Sequence, residues 1–528
     1  MSLAGKLSAL RLPPLRLKSV ERLIDMLTDP ARRERTVLIV LAVYAAIWTL
    51  YGIIAKSSQD VQFDAAELEV VSRDLEFGYA KHPPFAPWLV HGWFSLFPVR
   101  DWSYYLLAMA YVALGLWIAW RLFARFLDPD KRLVALACLM LVPYFNFLSL
   151  RFDHNAVLGP LWGATALCFI RSFETRSTAW AALAGATAAA AMLGKYWSIF
   201  LLAGLLLAAL TDARRANYFR SAAPWVTIAI GSLCLTPHLI WLARHDFISF
   251  AYALDAHPAK TIGQSFFGVA RYIAGGVGYV AVPVLIVLAL ARPGRTALAD
   301  MLIPRAPERR FVAVVFWTQF LLPAVLALPF DFELNAIWTM PGFVLLPVLL
   351  LASPLIVLRR QVVVPIVSFA VALPLVMLAL SPAIAIVLHI MGVSPVSANG
   401  QLLAQQIEQE WRRTTDKPLR IVGGAFDLAY VAAFYLPKQT LVFPVNEPQN
   451  APEVTPALVA RDGAVLTCFI LDDRVGVHYC ETLPNVAINL VVADNPKVRR
   501  VEVTLTRRYL GIAGKPGRYL IYIIPPPA

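Results

Sequence analysis

Between residues 36 and 391 the chain is a succession of apolar runs, many of them longer than the roughly 18 residues that suffice to span a bilayer. A chain built this way satisfies its backbone inside lipid as helices, so a polytopic α-helical membrane protein is expected. The composition agrees: 59% of the 528 residues are hydrophobic and only 15% are charged, too little charge for a soluble domain of this length. The pattern predicts about eleven spans, near 36–54, 103–126, 132–149, 155–171, 178–195, 198–211, 222–241, 267–291, 311–329, 336–357 and 362–391.

The net charge of +13 does not point to nucleic acid, because the basic residues form no basic domain and no recognisable nucleic-acid motif. They fall instead in every second connection between spans. Arg32, Arg33 and Arg35 precede the first span; Arg121, Arg125, Lys131 and Arg132, then Arg171 and Arg176, then Arg214, Arg215 and Arg220 follow. Arg292, Arg295, Arg305, Arg309 and Arg310, and finally Arg359 and Arg360, complete the same side. By the positive-inside rule that side is cytoplasmic. The expectation is a multi-pass protein of a bacterial inner membrane, with a cytoplasmic basic N-terminal segment (1–35), a transmembrane domain (36–392) and a periplasmic domain (393–528). The first apolar run is long and lacks a small-residue cleavage site, so it reads as a signal anchor. Residues 15–29 have the pattern of an amphipathic helix.

The periplasmic side carries two larger segments. The first connection, 55–102, is too apolar at Phe85, Trp88, Leu89, Trp93 and Phe94 for a free loop, and helices on the membrane surface are expected there. In 393–528, runs such as LRIVGG, TLVFP, AVLTCFI, INLVVA and RYLIYII accompany a helical DLAYVAAFYL, the pattern of a small α/β domain. Of the five cysteines, Cys138, Cys168 and Cys234 lie in apolar runs; Cys468 and Cys480 lie in this polar region, where a disulfide is one option.

Titratable groups gather on the same side. All eight histidines (His82, His91, His154, His238, His245, His257, His389 and His478) fall at or beyond its boundary. In FDAAELEVVSRDLEFGYAKHPP, residues 63–84, Asp64 and Glu67 are three apart and share a helix face. A carboxylate there can act as general base towards a hydroxyl, and Lys81 and His82 can hold a phosphate. A solvated surface helix explains the same spacing without chemistry. In RFDHNAVLGPLW, residues 151–162, Arg151, Asp153, His154 and Asn155 adjoin the membrane, where ionisable groups often face an interior cavity or serve as interfacial anchors. Lys195 in LGKYW suits a lipid phosphate or simple snorkelling. Asp331, Glu333 and Asn335 form another short turn, and Arg244, His245, Asp255 and His257 lie on a later loop. For a divalent metal, His82, Asp153 and His154 are weak candidates, since no HxxxH or DxD spacing occurs. No nucleotide-binding fingerprint is present.

The segment DAAELEVVSRDLEFGYAKHPP resembles the first outer loop of the PMT-type GT-C glycosyltransferases (family 39/83-like). These include protein mannosyltransferases, lipid A aminoarabinose transferases and Rgt-type galacturonosyltransferases. The matching residues are Asp64, then Phe77-Gly78-Tyr79, then His82-Pro83-Pro84. FDHNAVLGPLW is similar to the family's second acidic position, GKYW to its G-x-x-x-K-Y stretch, and NAIWTMPGF loosely to its late Trp-Pro motif; the likeness covers about 50–390. The resemblance implies a GT-C fold, with Asp64 as catalytic acidic residue and Asp153 as its partner. It implies His82 and Lys195 near a donor phosphate; from the residues themselves Lys81 is a further candidate for that phosphate, and Tyr79, His154, Asn155 and Arg244 are candidate substrate contacts. Ala65 follows Asp64 where the family often has a second acid, which leaves Glu67 to supply it; Lys81 stands where an acid is frequent. The implied partners are membrane lipids, a polyprenyl-phosphate sugar donor and a lipid A or envelope-glycan acceptor, with no nucleic acid. A lipid-linked saccharide transporter or flippase, or a non-catalytic relative, are the competing expectations; the internal pseudo-repeats a transporter would show are absent from the sequence.

Overall fold

The computed structural model describes residues 18–256, 262–330, 332–393, 395–445, 447, 451, 453–470 and 497–526. The helices of the first part are α1 (Lys18–Thr28), α2 (Arg33–Ala55), α3 (Phe63–Val71), α4 (Phe85–Phe94), α5 (Asp101–Phe123), α6 (Pro129–Met140), α7 (Leu158–Thr175), α8 (Thr178–Gly194), α9 (Ile199–Thr211) and α10 (Arg215–Phe219). They continue as α11 (Ala223–Arg244), α12 (Ile248–Ala256), α13 (Ile262–Ala291), α14 (Arg295–Leu302), α15 (Pro307–Phe330), a 3₁₀ stretch (Ala336–Leu345) running into α16 (Leu346–Leu351), and α17 (Arg360–Met391). Six of these, α2, α5, α11, α13, α15 and α17, are long and apolar enough to cross a membrane. The chain is a multi-pass membrane protein.

The amphipathic pattern at 15–29 becomes α1, which buries Ile24 and Leu27 against the bundle rather than presenting them all to lipid. Arg360 ties it to α17 by donating to the Glu21 carbonyl and the Asp25 carboxylate. Basic connections gather at this end: Arg125 pairs with Glu174, Arg132 with Glu34 and Arg214 with Glu308.

The span expected at 132–149 is shorter than its apolar run. Pro143 has no amide hydrogen to continue the helix, so α6 stops at Met140 and the chain proceeds through two 3₁₀ turns, Pro143–Phe145 and Phe147–Arg151. The freed carbonyls find donors. Asn146 donates from Nδ2 to the carbonyls of Met140 and Val142 at 3.1 and 3.0 Å. Tyr44 of α2 donates to Phe145 O at 2.8 Å. Irregular backbone at membrane depth is tolerated only when satisfied this way. Its consequence is local: the break delivers Arg151, Asp153, His154 and Asn155 as one rigid turn before α7.

The surface helices expected in 55–102 are α3 and α4, separated by a 13-residue stretch, 72–84, without helix or strand. Beyond the bundle, α18 (Pro395–Arg412, kinked at Asn399) leads into an α/β domain with β1 (Ile421–Gly424), α19 (Phe426–Tyr435), β2 (Leu441–Pro444), α20 (Pro456–Asp462), β3 (Ala464–Ile470), β4 (Arg499–Leu505), β5 (Arg508–Tyr509), β6 (Ile512–Ala513) and β7 (Gly517–Ile524). The five-stranded sheet runs β2-β1-β3-β7-β4, parallel across β2-β1-β3 and antiparallel at β3-β7 and β7-β4; β5 and β6 form a separate hairpin. β1 is buried on both faces, as its parallel neighbours require. Strand β4 lies in a run the alternation did not single out, and INLVVA lies outside the described residues. Cys468 is buried in β3; Cys480, its candidate partner, lies outside the described residues.

α19 packs on α3, and this contact sets the domain over the first connection. Tyr435 donates to the Asp101 carboxylate at 3.0 Å and accepts from Val61 N at 2.9 Å. The buried Asp60 accepts from Arg507 and from Gln401 N.

Candidate active site

A cavity of about 170 Å³ opens between α3, the 72–84 stretch, the turn before α7, the end of α8 and α19. Asp64 and Glu67 enter it from α3. Gln62 caps that helix and also donates from Nε2 to Asp64 Oδ2 at 2.9 Å, which fixes the carboxylate. The i,i+3 spacing places Glu67 one turn further along the same face. Its carboxylate is engaged: Lys81 Nζ stands 2.8 Å from Glu67 Oε1 and 2.8 Å from Oε2 of Glu447. Burial works against the Lys81 charge, but these two carboxylates outweigh it and hold the ammonium above its ordinary range.

Across the cavity Asp153 is 7% exposed. Its Oδ1 accepts from the amides of Asn155 and Ala156 at 2.8 and 3.0 Å, and Arg151 Nη2 lies 3.0 Å from its Oδ2. Lys195 completes the wall, donating to Asn155 Oδ1 at 2.6 Å and standing 5.0 Å from the Trp338 ring centroid.

The two aspartates are driven apart electrostatically. Asp64 is raised above the usual carboxylate range by burial first and by the charge of Asp153 second, with Gln62, Arg151 and Lys81 opposing. Burial would raise Asp153 too, but Arg151 and Lys195, with the amide hydrogen bonds, overcome it and hold the carboxyl below its ordinary value. The two carboxyls are thus shifted in opposite directions, the separation that acid–base chemistry uses.

The 72–84 stretch is held at several points. Tyr79 donates its hydroxyl to Asp74 O at 2.6 Å, and its own carbonyl accepts from Ser249 at 2.7 Å. His91 Nδ1 meets Ser72 O at 2.7 Å, Trp88 donates to Glu76 O at 2.8 Å, and His238 Nδ1 meets Phe77 O at 2.6 Å. Gly78 lies against the Trp241 indole of α11, inside the space a Cβ would need. Gly78→Ala therefore pushes the stretch off α11. Overpacking of this kind costs about 1–3 kcal/mol, and a shift of about 1 Å at a reacting group can cost roughly a hundredfold in rate. The expected result is a lower melting temperature in detergent and a large loss of activity, partly restored by adding Trp241→Ala.

The structure thus brings Asp64, Glu67, Tyr79, Lys81, His82, Asp153, His154, Asn155 and Lys195 to one hollow. The phenol of Tyr79 is engaged with backbone, donating to Asp74 O and accepting from Glu76 N. His82 packs on His154 with centroids 4.1 Å apart. Burial lowers His154 to about 4, so at neutral pH it is uncharged. Arg244 does not line the cavity; it is exposed at the end of α11 beside His245, which stacks on Trp241. Glu333 pairs with Arg271, and Asn335 caps the 3₁₀ stretch. The side chain of Asp255, and the residues Asp331, His257 and His478, lie outside the described residues. No group of three or more His, Cys, Asp or Glu among the described residues is placed to hold a metal ion, and the Asp153 oxygens are already engaged as above.

Three contributors were not singled out from sequence: Tyr252 of α12, whose ring lies 5.7 Å from Lys81 Nζ, and Tyr430 and Glu447 of the C-terminal domain. No local pattern marks them; only the folding of that domain onto α3 brings the last two in.

Residues 81–241 match the family described as dolichyl-phosphate-mannose-protein mannosyltransferase. The chain is 30% identical over 274 residues to the lipopolysaccharide core galacturonosyltransferase RgtB of Rhizobium johnstonii, covering 50% of this chain and 53% of that protein. It is 24% identical over 285 residues to RgtA of the same organism, 51% of this chain and 54% of that one. The matches therefore span about half the length of these relatives. The crystal structure of ArnT from Cupriavidus metallidurans bound to undecaprenyl phosphate superposes with a TM-score of 0.62 at 14% identity, over 92% of this chain and 97% of ArnT. The protein shares the GT-C fold of ArnT, and its sequence is similar to the PMT-type family over residues 81–241 and to the Rgt galacturonosyltransferases over about half of its length.

Proposed function

We propose that this protein is a glycosyltransferase that moves a sugar from a polyprenyl-phosphate donor to lipid A, an envelope glycan or a related acceptor at the periplasmic face of the inner membrane. The observation that carries the reading is the pairing of a raised Asp64 with a depressed Asp153 across one cavity that also holds Lys81 and Lys195. The similarity to lipopolysaccharide core galacturonosyltransferases and the ArnT fold agree with it. The placement of basic connections at the end opposite the cavity supports a cytoplasmic N-terminus and a periplasmic C-terminal domain.

In this reading the acceptor hydroxyl attacks the anomeric carbon in line. Asp64 takes the hydroxyl proton, a new glycosidic bond forms, and the bond from the anomeric carbon to the phosphate oxygen breaks, giving inversion. Charge grows on the departing lipid phosphate, and Lys81 and Lys195 stabilise it where it develops. Asp153 orients Arg151 directly and Lys195 through Asn155. Glu67 serves as the holder of Lys81 rather than as a second base, since its oxygen is already on the ammonium.

The test is mass spectrometry of extracted lipid A and other envelope lipids from a deletion strain and its parent. A sugar increment missing in the deletion strain and restored by the wild-type protein, but not by Asp64→Asn, is the expected result. Identical lipids in all strains would overturn the assignment.

A further inference from the structure

The hairpin β5–β6 projects from the C-terminal domain at the outer end of α17. Its two-residue loop is Leu510-Gly511, and both residues have positive φ, 49° and 83°. That backbone suits the twist of a tight hairpin, but a leucine there is disfavoured because its Cβ crowds the following carbonyl. Leu510 is also 73% exposed and Ile512 40% exposed. A short polar residue would relieve both problems. An apolar tip held in an unfavourable backbone conformation therefore asks for an apolar surrounding.

The hairpin's seat supplies one. His389, in the last turn of α17, meets Ile512 O through Nε2 at 3.0 Å, and its ring lies 5.7 Å from that of Tyr509. Tyr509 shares a hydrogen bond of 2.8 Å with Ser57, just past the end of α2. Lys515 runs across Gly392, whose φ of +80° ends α17 and where a Cβ would stand 2.7 Å from Lys515 Cδ. The hairpin thus sits where two apolar, membrane-length helices end, beside Ile390 and Met391, which are 58% and 67% exposed on α17. Exposed apolar side chains thus occur both at the end of that helix and at the hairpin tip. Arg508 and Lys515, both exposed, flank the tip.

We propose that the Leu510–Ile512 tip inserts into the outer leaflet of the bilayer, with Arg508 and Lys515 on the headgroup phosphates. The hairpin then fixes the C-terminal domain to the membrane at a point separate from the cavity. An apolar side chain flanked by cations is the arrangement that interfacial membrane contacts use. The inference rests on α17 crossing the membrane and not on the proposed sugar transfer.

The test uses the full chain, with Cys234→Ala to remove the exposed native thiol, in nanodiscs containing anionic phospholipid. A nitroxide label is placed at Leu510→Cys and, as a control, at Arg461→Cys on the exposed face of α20. Collision rates with oxygen, which concentrates in lipid, and with a water-soluble nickel chelate are read by electron paramagnetic resonance. Oxygen favoured at 510 and nickel favoured at 461 is the expected result, with the preference at 510 lost in Leu510→Cys protein held in amphipol without lipid. Nickel accessibility at 510 equal to that at 461 overturns the proposal, as does low accessibility to both reagents, which would indicate a protein contact instead.

Discussion

Asp64→Asn is expected to reduce sugar transfer by roughly 10²–10⁴-fold, the range that a positioned general base supplies, with little change in folding. Asparagine keeps the shape and can still meet Gln62, so the α3 cap and the neighbouring Lys81 contacts persist. It also removes a carboxylate that burial and the Asp153 charge both disfavour, so the melting temperature should hold or rise. The pH profile separates a base from a merely structural residue. Transfer requires ionised Asp64. Because its carboxyl is raised, the acid limb of the wild-type profile should lie above the pH at which an ordinary aspartate titrates, with activity falling as pH drops through it. Asp153→Asn removes the second cause of that rise and frees Arg151 to act on Asp64, so the limb of its residual activity should move to lower pH. In Asp64→Asn the limb should vanish. A limb that stays in place in Asp64→Asn would assign the proton transfer to another group.

How much of this was legible beforehand differs by level. The helical membrane architecture was written in apolar runs, because burying backbone in lipid leaves few alternatives. Helix ends were less legible: the run 132–149 is apolar apart from Arg132, Asn146 and Ser149, and Pro143 is the residue that marks where the helix breaks. That break, more than the helix, builds the Asp153 side of the site. Asp64, Lys81 and Asp153 were visible as charges beside apolar runs, where a functional cavity competed with a solvated surface helix or interfacial anchoring. What the charges do to each other was not. Glu67 shares a helix face with Asp64 by spacing and reads as the second acid only through the family resemblance; the fold shows Lys81 on it. Arg244 reads as a substrate contact by its place on an outer loop, yet helix α11 carries it out to an exposed position. Tyr430 and Glu447 sit in a domain whose sequence carries no chemical pattern; they join the site through the packing of α19 on α3, a long-range contact that no local spacing encodes.

Glu447 gives Lys81→Met its diagnostic value. In the wild type one ammonium bridges a carboxylate of the first connection and one of the C-terminal domain. Methionine keeps the length of the side chain and removes the charge. The two carboxylates then lose the cation that bridges them and their like charges repel; a hydrogen bond to a charged group contributes about 1.5–3 kcal/mol, less to the extent that water reaches the pair. The melting temperature should fall. It should recover as pH is lowered, because burial raises the Glu67 carboxyl and Lys81 is the main group opposing that rise, so the folded variant holds a proton on Glu67 that the unfolded chain releases. Transfer should fall by roughly 10²–10³-fold through loss of a cation at the leaving phosphate. Adding Glu447→Gln to Lys81→Met relieves the repulsion and should restore most of the stability while leaving transfer impaired. Glu447→Gln alone should keep Lys81 on Glu67 and retain activity, with donor affinity equal to or tighter than wild type, since one competitor for the ammonium is gone. Full recovery of transfer in the double variant would reduce Lys81 to a tether between domains and move the phosphate to Lys195.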